Sequence, residues 1–208
     1  MKEVARPRTI GVVLFDGFEL LDVFGPLEMF GELKAHFAIR TVGPTPGPVA
    51  SAQGPQVLAE VAYEDAAPCD VVFVPGGIGS RAFATNESLL AWLSKWAETA
   101  EFVCSVCTGS GVLGAAGLLE GYRATSNKEA FAWASSQGDR VEWIPSARWV
   151  VDGNRWTSSG VSAGIDMTFA FIERPCGTAV ADELADAVEY ERHLDPTWDP
   201  FAERRGLR

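Results

Sequence analysis

Short apolar runs alternate with amphipathic or small-residue stretches along most of the chain. Arg8 to Phe15 is β-branched and ends at Asp16-Gly17, a strand followed by a turn. Gly25-Pro26 then opens a helix over Leu27 to Leu33, with proline suited to a first helical position. Phe37 to Val42 alternates as a strand does, Gly43 to Pro48 is a Pro/Gly loop, and Val49 to Val61 holds short β pieces. Val71 to Val74 is continuously apolar and enters Pro75-Gly76-Gly77; the helix after it spans Glu87 to Thr99, where Leu89, Leu90, Leu93 and Trp96 recur at helical spacing. Phe102 to Val106 is a further strand, leading through Cys107 into a small-residue helix over Gly109 to Ala116. Lys128 to Ser136 reads as a helix, Val141 to Ile144 as a strand, and Asp152-Gly153 as the turn of a hairpin. Helices near Ser162 to Glu173, stopped by Pro175, and over Thr178 to Tyr190 complete the pattern.

Continuous apolar strands separated by helices imply a parallel sheet covered on both faces. The expected fold is therefore α/β, a flavodoxin-like sandwich in a single domain over residues 1–208, with a core at about 9–190 and a tail over 191–208. Its site should lie beyond the carboxyl ends of the strands. Composition narrows the chemistry. A formal net charge of −11 disfavours nucleic acid as a partner, and the basic run Arg204 to Arg208 reads as a solvated tail. No segment reaches the ~20 apolar residues of a membrane span, and Met1 to Arg8 lacks the apolar centre of a secretory leader. Scattered Cys69, Cys104, Cys107 and Cys176 do not form a disulfide framework, so the expectation is a cytoplasmic protein with reduced thiols.

Three candidates follow strand ends: Asp22, Gly76-Gly77 and Cys107. Ser105-Val106-Cys107-Thr108-Gly109 has small residues two before and two after the cysteine, the layout of a sharp nucleophile elbow. Amides of the following helix would lower the thiol pKa and activate it as a thiolate; the plainer alternative is an inert buried cysteine. Cys104 forms a C-x-x-C with Cys107 but points to the opposite face while the strand is extended, which makes it a core residue. Asp22 lies among Leu20, Leu21, Val23 and Phe24, and burial would keep its carboxyl protonated near neutrality; it would equally serve as a helix cap. The Gly76 and Gly77 amides could act as oxyanion donors or belong to an ordinary turn. Thr108 could cap its helix or orient Cys107 or a substrate. His36 and His193 are not beside the elbow in sequence, which disfavours a Cys-His-Asp triad. Metal ligation and nucleotide cofactors find no support in the spacing.

Leu21-Asp22-Val23-Phe24-Gly25-Pro26, Asp70 to Gly77, Ser105 to Gly109, Leu113 to Leu119, Arg123-Ala124-Thr125 and Gly160 to Asp166 together resemble the ThiJ/PfpI superfamily over about Thr9 to Tyr190. Within it the pattern is closest to isocyanide (isonitrile) hydratases. The resemblance implies a class I glutamine-amidotransferase-like sandwich assembled as a homodimer. It implies no cofactor, with Cys107 as nucleophile, Asp22 as acidic partner and Thr108 as polar neighbour. The Gly76-Gly77 amides would hold developing negative charge, and the reaction would hydrate an isocyanide to an N-substituted formamide. Thr108 stands where protease and chaperone-like members carry histidine. Asn127 departs from several hydratase-like sequences, and the residues after Tyr190 are too few for the DNA-binding domain of related regulators. A redox or electrophile sensor built on the same cysteine is the alternative, and a noncatalytic interaction domain a third.

Overall fold

A computed structural model describes residues 6–207, so Met1 to Ala5 of the charged N-terminal stretch and Arg208 of the basic run lie outside the described residues. The strands are β1 (Arg8–Val13), β2 (Phe37–Gly43), β3 (Gly47–Ala50), β4 (Gln56–Ala59), β5 (Val61–Ala62), β6 (Val71–Val74), β7 (Phe102–Ser105), β8 (Arg123–Ala124), β9 (Glu142–Trp143), β10 (Trp149–Asp152) and β11 (Arg155–Ser158). The helices are α1 (Leu20–Glu32), α2 (Ser80–Ala84), α3 (Glu87–Ala97), α4 (Gly109–Ala115), α5 (Phe131–Ala134), α6 (Ala163–Cys176), α7 (Thr178–Ala187) and α8 (Pro200–Arg204).

Seven strands form one sheet in the order β10-β11-β7-β6-β1-β2-β5. Every pairing in it is parallel except the β10–β11 hairpin, which turns at Gly153-Asn154, one residue beyond the expected Asp152-Gly153. Val71 to Val74 is buried along its whole length, because helices cover both faces of a parallel sheet. This is the expected flavodoxin-like α/β sandwich. The order places β1, β6, β7 and β11 side by side, so the segments leaving their carboxyl ends meet above the sheet.

Several boundaries differ from expectation, each for a nonlocal reason. α1 begins at Leu20 and runs through Pro26 rather than starting after it. Proline removes one i→i−4 bond, but the helix buries Val23, Met29 and Phe30 and packs tightly against α6, where a methyl group at Gly25 would lie 2.7 Å from Ile165. α6 likewise passes through Pro175 to Cys176. The helix expected over Lys128 to Ser136 shrinks to α5, because the Asn127 side chain accepts the Ala130 N–H and Lys128 turns inward.

Residues 191–207, set apart from the core as a tail, are docked on it, while Arg204 and Arg205 of the basic run are exposed as expected. Asp166 on α6 accepts two hydrogen bonds from the Arg148 guanidinium at 2.8 and 2.6 Å, and its other oxygen accepts from the Tyr190 hydroxyl and the His193 amide. The Arg148 amide donates to Pro196 O at 2.8 Å. A buried ion pair thus anchors the tail to the body. His193 does fold back, but its ring stacks on Trp198. Removing one partner of such a pair leaves an uncompensated buried charge. Arg148→Ala is therefore expected to lower the unfolding free energy by about 3–5 kcal/mol. Urea titration followed by tryptophan fluorescence measures this, and the tail should become the first site of limited proteolysis.

Candidate active site

The elbow forms because β7 delivers Val106 into a layer with no room for a gentle turn. Cys107 adopts φ +57°, the left-handed region that a non-glycine residue occupies at a cost of roughly 1–3 kcal/mol. Surrounding bonds hold it there. The Cys107 N–H donates to Ser158 O at 3.2 Å, and its carbonyl accepts from the Ser110 and Ser126 hydroxyls at 3.1 and 3.0 Å. A methyl group at Gly109 would lie 2.2 Å from Val74 O, so the residue two after the cysteine must be small for the chain to pass β6.

Asp22 is fully buried in the first turn of α1 and does not cap it; the N-cap position belongs to Glu19. The carboxyl instead reaches the next loop, where Oδ2 accepts the Gly76 N–H at 2.8 Å. Oδ1 has no nitrogen or oxygen partner, and the Cys107 thiol is close enough for each group to perturb the other. Burial pushes the Asp22 carboxyl well above the usual range, against the pull of the Gly76 amide. Burial also pushes the Cys107 thiol well above its ordinary value, and the Asp22 charge adds to the shift. Hydrogen bonds from the Thr108 amide and the Asn127 side chain pull it back only in part. The low-pKa thiolate expected from the helix start is thus corrected: desolvation outweighs the amides when the sulfur is sealed below the surface.

Thr108 makes no capping bond to α4. Its hydroxyl accepts the Gly77 N–H at 3.0 Å and lies 3.0 Å from Ser80 Oγ, tying the elbow to the glycine turn. The structure therefore brings all five candidates together. The two glycine amides, however, are engaged inside the protein, that of Gly76 with Asp22 and that of Gly77 with Thr108. Cys104 is buried in β7 with its thiol pushed up by burial, and all four cysteines are free. Cys69 is likewise pushed up to about 12.

Asn127 was not singled out for this site from sequence. Its side-chain oxygen accepts the Ala130 N–H at 3.0 Å, which turns its NH₂ toward the Cys107 sulfur. A methyl group at Gly160 would lie 2.1 Å from that nitrogen and 2.9 Å from the sulfur. Only a bare backbone at 160 allows the approach; in the sequence Asn127 stood out only as a departure from hydratase-like sequences, and Gly160 only as part of the family resemblance. Beside Asn127 and Gly160 opens a cavity of about 320 Å³, also lined by Leu21, Ser159, Val161 and Phe201. Lys128 borders it but sends its ammonium inward to Thr125 Oγ1, Ser126 O and Ala147 O; burial lowers its pKa to about 8.

A parallel α/β sandwich with a strained cysteine elbow and a buried acid beside it defines a class of proteins by architecture. The chain belongs to the DJ-1/PfpI family, whose model matches residues 8–174. It is 36% identical over 182 residues to an isonitrile hydratase from Pseudomonas putida, covering 87% of this chain and 78% of that one. It is 31% identical over 192 residues to the transcriptional regulator GbdR of Pseudomonas aeruginosa, spanning about half (52%) of that protein. A crystal structure of a ThiJ/PfpI family protein from Pseudomonas syringae superposes with a TM-score of 0.80 at 30% identity, covering 100% of this chain and 88% of that one.

The raised Asp22 pKa makes a signed prediction for stability. Between the unfolded carboxyl value and the higher folded one, the folded state binds the extra proton, so stability falls as pH rises through that window. Asp22→Asn removes this penalty. Its melting temperature should exceed wild type at about pH 7–8 and converge on it toward about pH 4, measured by scanning calorimetry across that range.

Proposed function

We propose that this chain hydrates an isocyanide to an N-substituted formamide, with Cys107 as nucleophile and Asp22 as the proton carrier. The observation that carries the proposal is the orientation of the buried carboxyl. With Oδ2 holding the Gly76 amide, Oδ1 is the oxygen left free to carry a proton, on a carboxyl close enough to Cys107 for the two groups to interact. The two groups titrate as a pair, and burial keeps at least one proton on it through neutrality. An isocyanide suits such a pair, because its terminal carbon accepts both a nucleophile and a proton.

In the form that reacts the pair holds one proton, on Asp22, and the Cys107 thiolate attacks: the Sγ–C bond forms while the Asp22 proton moves to the same carbon, giving a thioimidate, R–N=CH–S–Cys107. Water adds to that carbon and nitrogen takes a proton, giving R–NH–CH(OH)–S–Cys107. The C–S bond then breaks, the hydroxyl proton returns to the Asp22–Cys107 pair, and R–NH–CHO leaves. One isocyanide and one water are consumed per formamide. Asn127 donates to the sulfur whenever it carries negative charge, and Thr108 fixes the elbow against the Gly76-Gly77 turn. Similarity to the Pseudomonas putida isonitrile hydratase supports the same reading. A peroxide sensor requires an exposed thiolate, and a buried thiol with a raised pKa is poorly suited to that task. Exposed Leu21, Phe24 and Ile78, on the segments that carry Asp22 and Gly77, support assembly as a homodimer.

Purified protein mixed with an aryl isocyanide should release the formamide, followed by chromatography. Cys107→Ala should reduce turnover to background, and Asp22→Asn should lower kcat by roughly 10²–10⁴-fold. The wild-type kcat/KM should fall on the alkaline side, as the pair loses its last proton. Unchanged turnover in either variant would remove that residue from the mechanism.

A further inference from the structure

The site cavity has one wall that the family match does not include. The family model matches residues 8–174, whereas α8 follows later and still contributes Phe201 to the lining of the cavity. This helix is firmly placed. Asp199 is buried and caps it, with Oδ1 accepting the Phe201 N–H at 3.0 Å; Ala202 beneath is fully buried. The preceding chain is held where Pro196 O accepts from the Arg148 amide. At the rim, Arg205 pairs with Glu129 at 3.1 Å, but both side chains are exposed and such a pair adds little. The helix therefore stays through its cap and its buried face, and Phe201 is presented as a rigid aromatic surface, 43% exposed.

Asn127 and Gly160 lie against the Cys107 sulfur and also line this cavity, so a molecule approaching the sulfur from this side would place its remainder there. The apolar walls there are Leu21, Val161 and Phe201. The Lys128 charge is spent on carbonyl and hydroxyl oxygens beneath the wall rather than offered to a ligand. We infer that Phe201 is a specificity-determining residue, and that it selects an uncharged aryl or branched-alkyl substituent on the substrate and limits its size. That the reacting group is an isocyanide rests on the function proposed above; the wall itself does not depend on it.

The test compares wild type with Phe201→Ala and Phe201→Trp, using two readouts. The first is kcat/KM for a short linear alkyl isocyanide against a naphthyl isocyanide. The second is the alkylation rate of Cys107, read by mass spectrometry, with iodoacetamide against its N-naphthyl derivative. Phe201→Ala should raise the bulky-to-small ratio roughly tenfold in both, and Phe201→Trp should lower it. Should Phe201→Ala fail to fold, Phe201→Leu and Phe201→Trp carry the same comparison. Wild type that turns over no isocyanide, with alkylation ratios that still shift, would overturn the reaction and leave the wall standing. Ratios that stay within about twofold in variants melting like wild type would overturn the wall.

Discussion

The hydrogen bond from the Gly76 amide to Asp22 Oδ2 decides which carboxyl oxygen is free, and most of the site's chemistry depends on that choice. A fully buried carboxyl resists ionisation, and burial raises the Asp22 pKa well above the usual range. With Oδ2 engaged, Oδ1 is the oxygen left without a partner, on a carboxyl that interacts with a thiol whose pKa burial also raises. Desolvation thus acts on both members at once. Helix-start amides by themselves favour a thiolate; burial opposes them here and ties the protonation of Cys107 to that of Asp22.

The fold supplies this geometry through three strand ends. β1 leads into the helix bearing Asp22, β6 into the Gly76-Gly77 turn, and β7 into Cys107, and the sheet order keeps β7, β6 and β1 adjacent. Each segment is tied to the next: Asp22 to Gly76, Gly77 to Thr108, Cys107 to the residues leaving β11. These ties explain why a strained φ at Cys107 persists. Relaxing it would break the amide bond to Ser158 and the two serine bonds to its carbonyl.

What the sequence made legible is what depends on short-range pattern. Val71 to Val74 and the β10–β11 hairpin can be read because continuous apolar character and a turn dipeptide are local signals. The elbow can be read because small residues at fixed offsets from Cys107 are local as well. Proline misled at both Pro26 and Pro175, since the gain from packing α1 and α6 against each other is invisible in either segment alone. The sign of the Cys107 shift was also hidden. Counting amides at a helix start gives a lowered pKa, while the depth of the sulfur, which depends on Gly160 and Asn127 closing over it, reverses the direction.

The same distinction explains why the docking of residues 191–207 on the core was not legible. Arg204, Arg205 and the acidic residues nearby look like a surface segment, and they are exposed. The features that fix the tail are single buried groups far apart in sequence: Asp166, Arg148 and the Asp199 cap. An ion pair buried beneath a polar stretch contributes orientation more than stability, because desolvating its charges offsets much of their attraction. Orientation is what the cavity requires. A tail held only by apolar contacts could slide, and Phe201 would then be a variable surface. Anchored at Asp166 and capped by Asp199, the tail holds Phe201 at one place on the wall of the cavity that Asn127 and Gly160 also line.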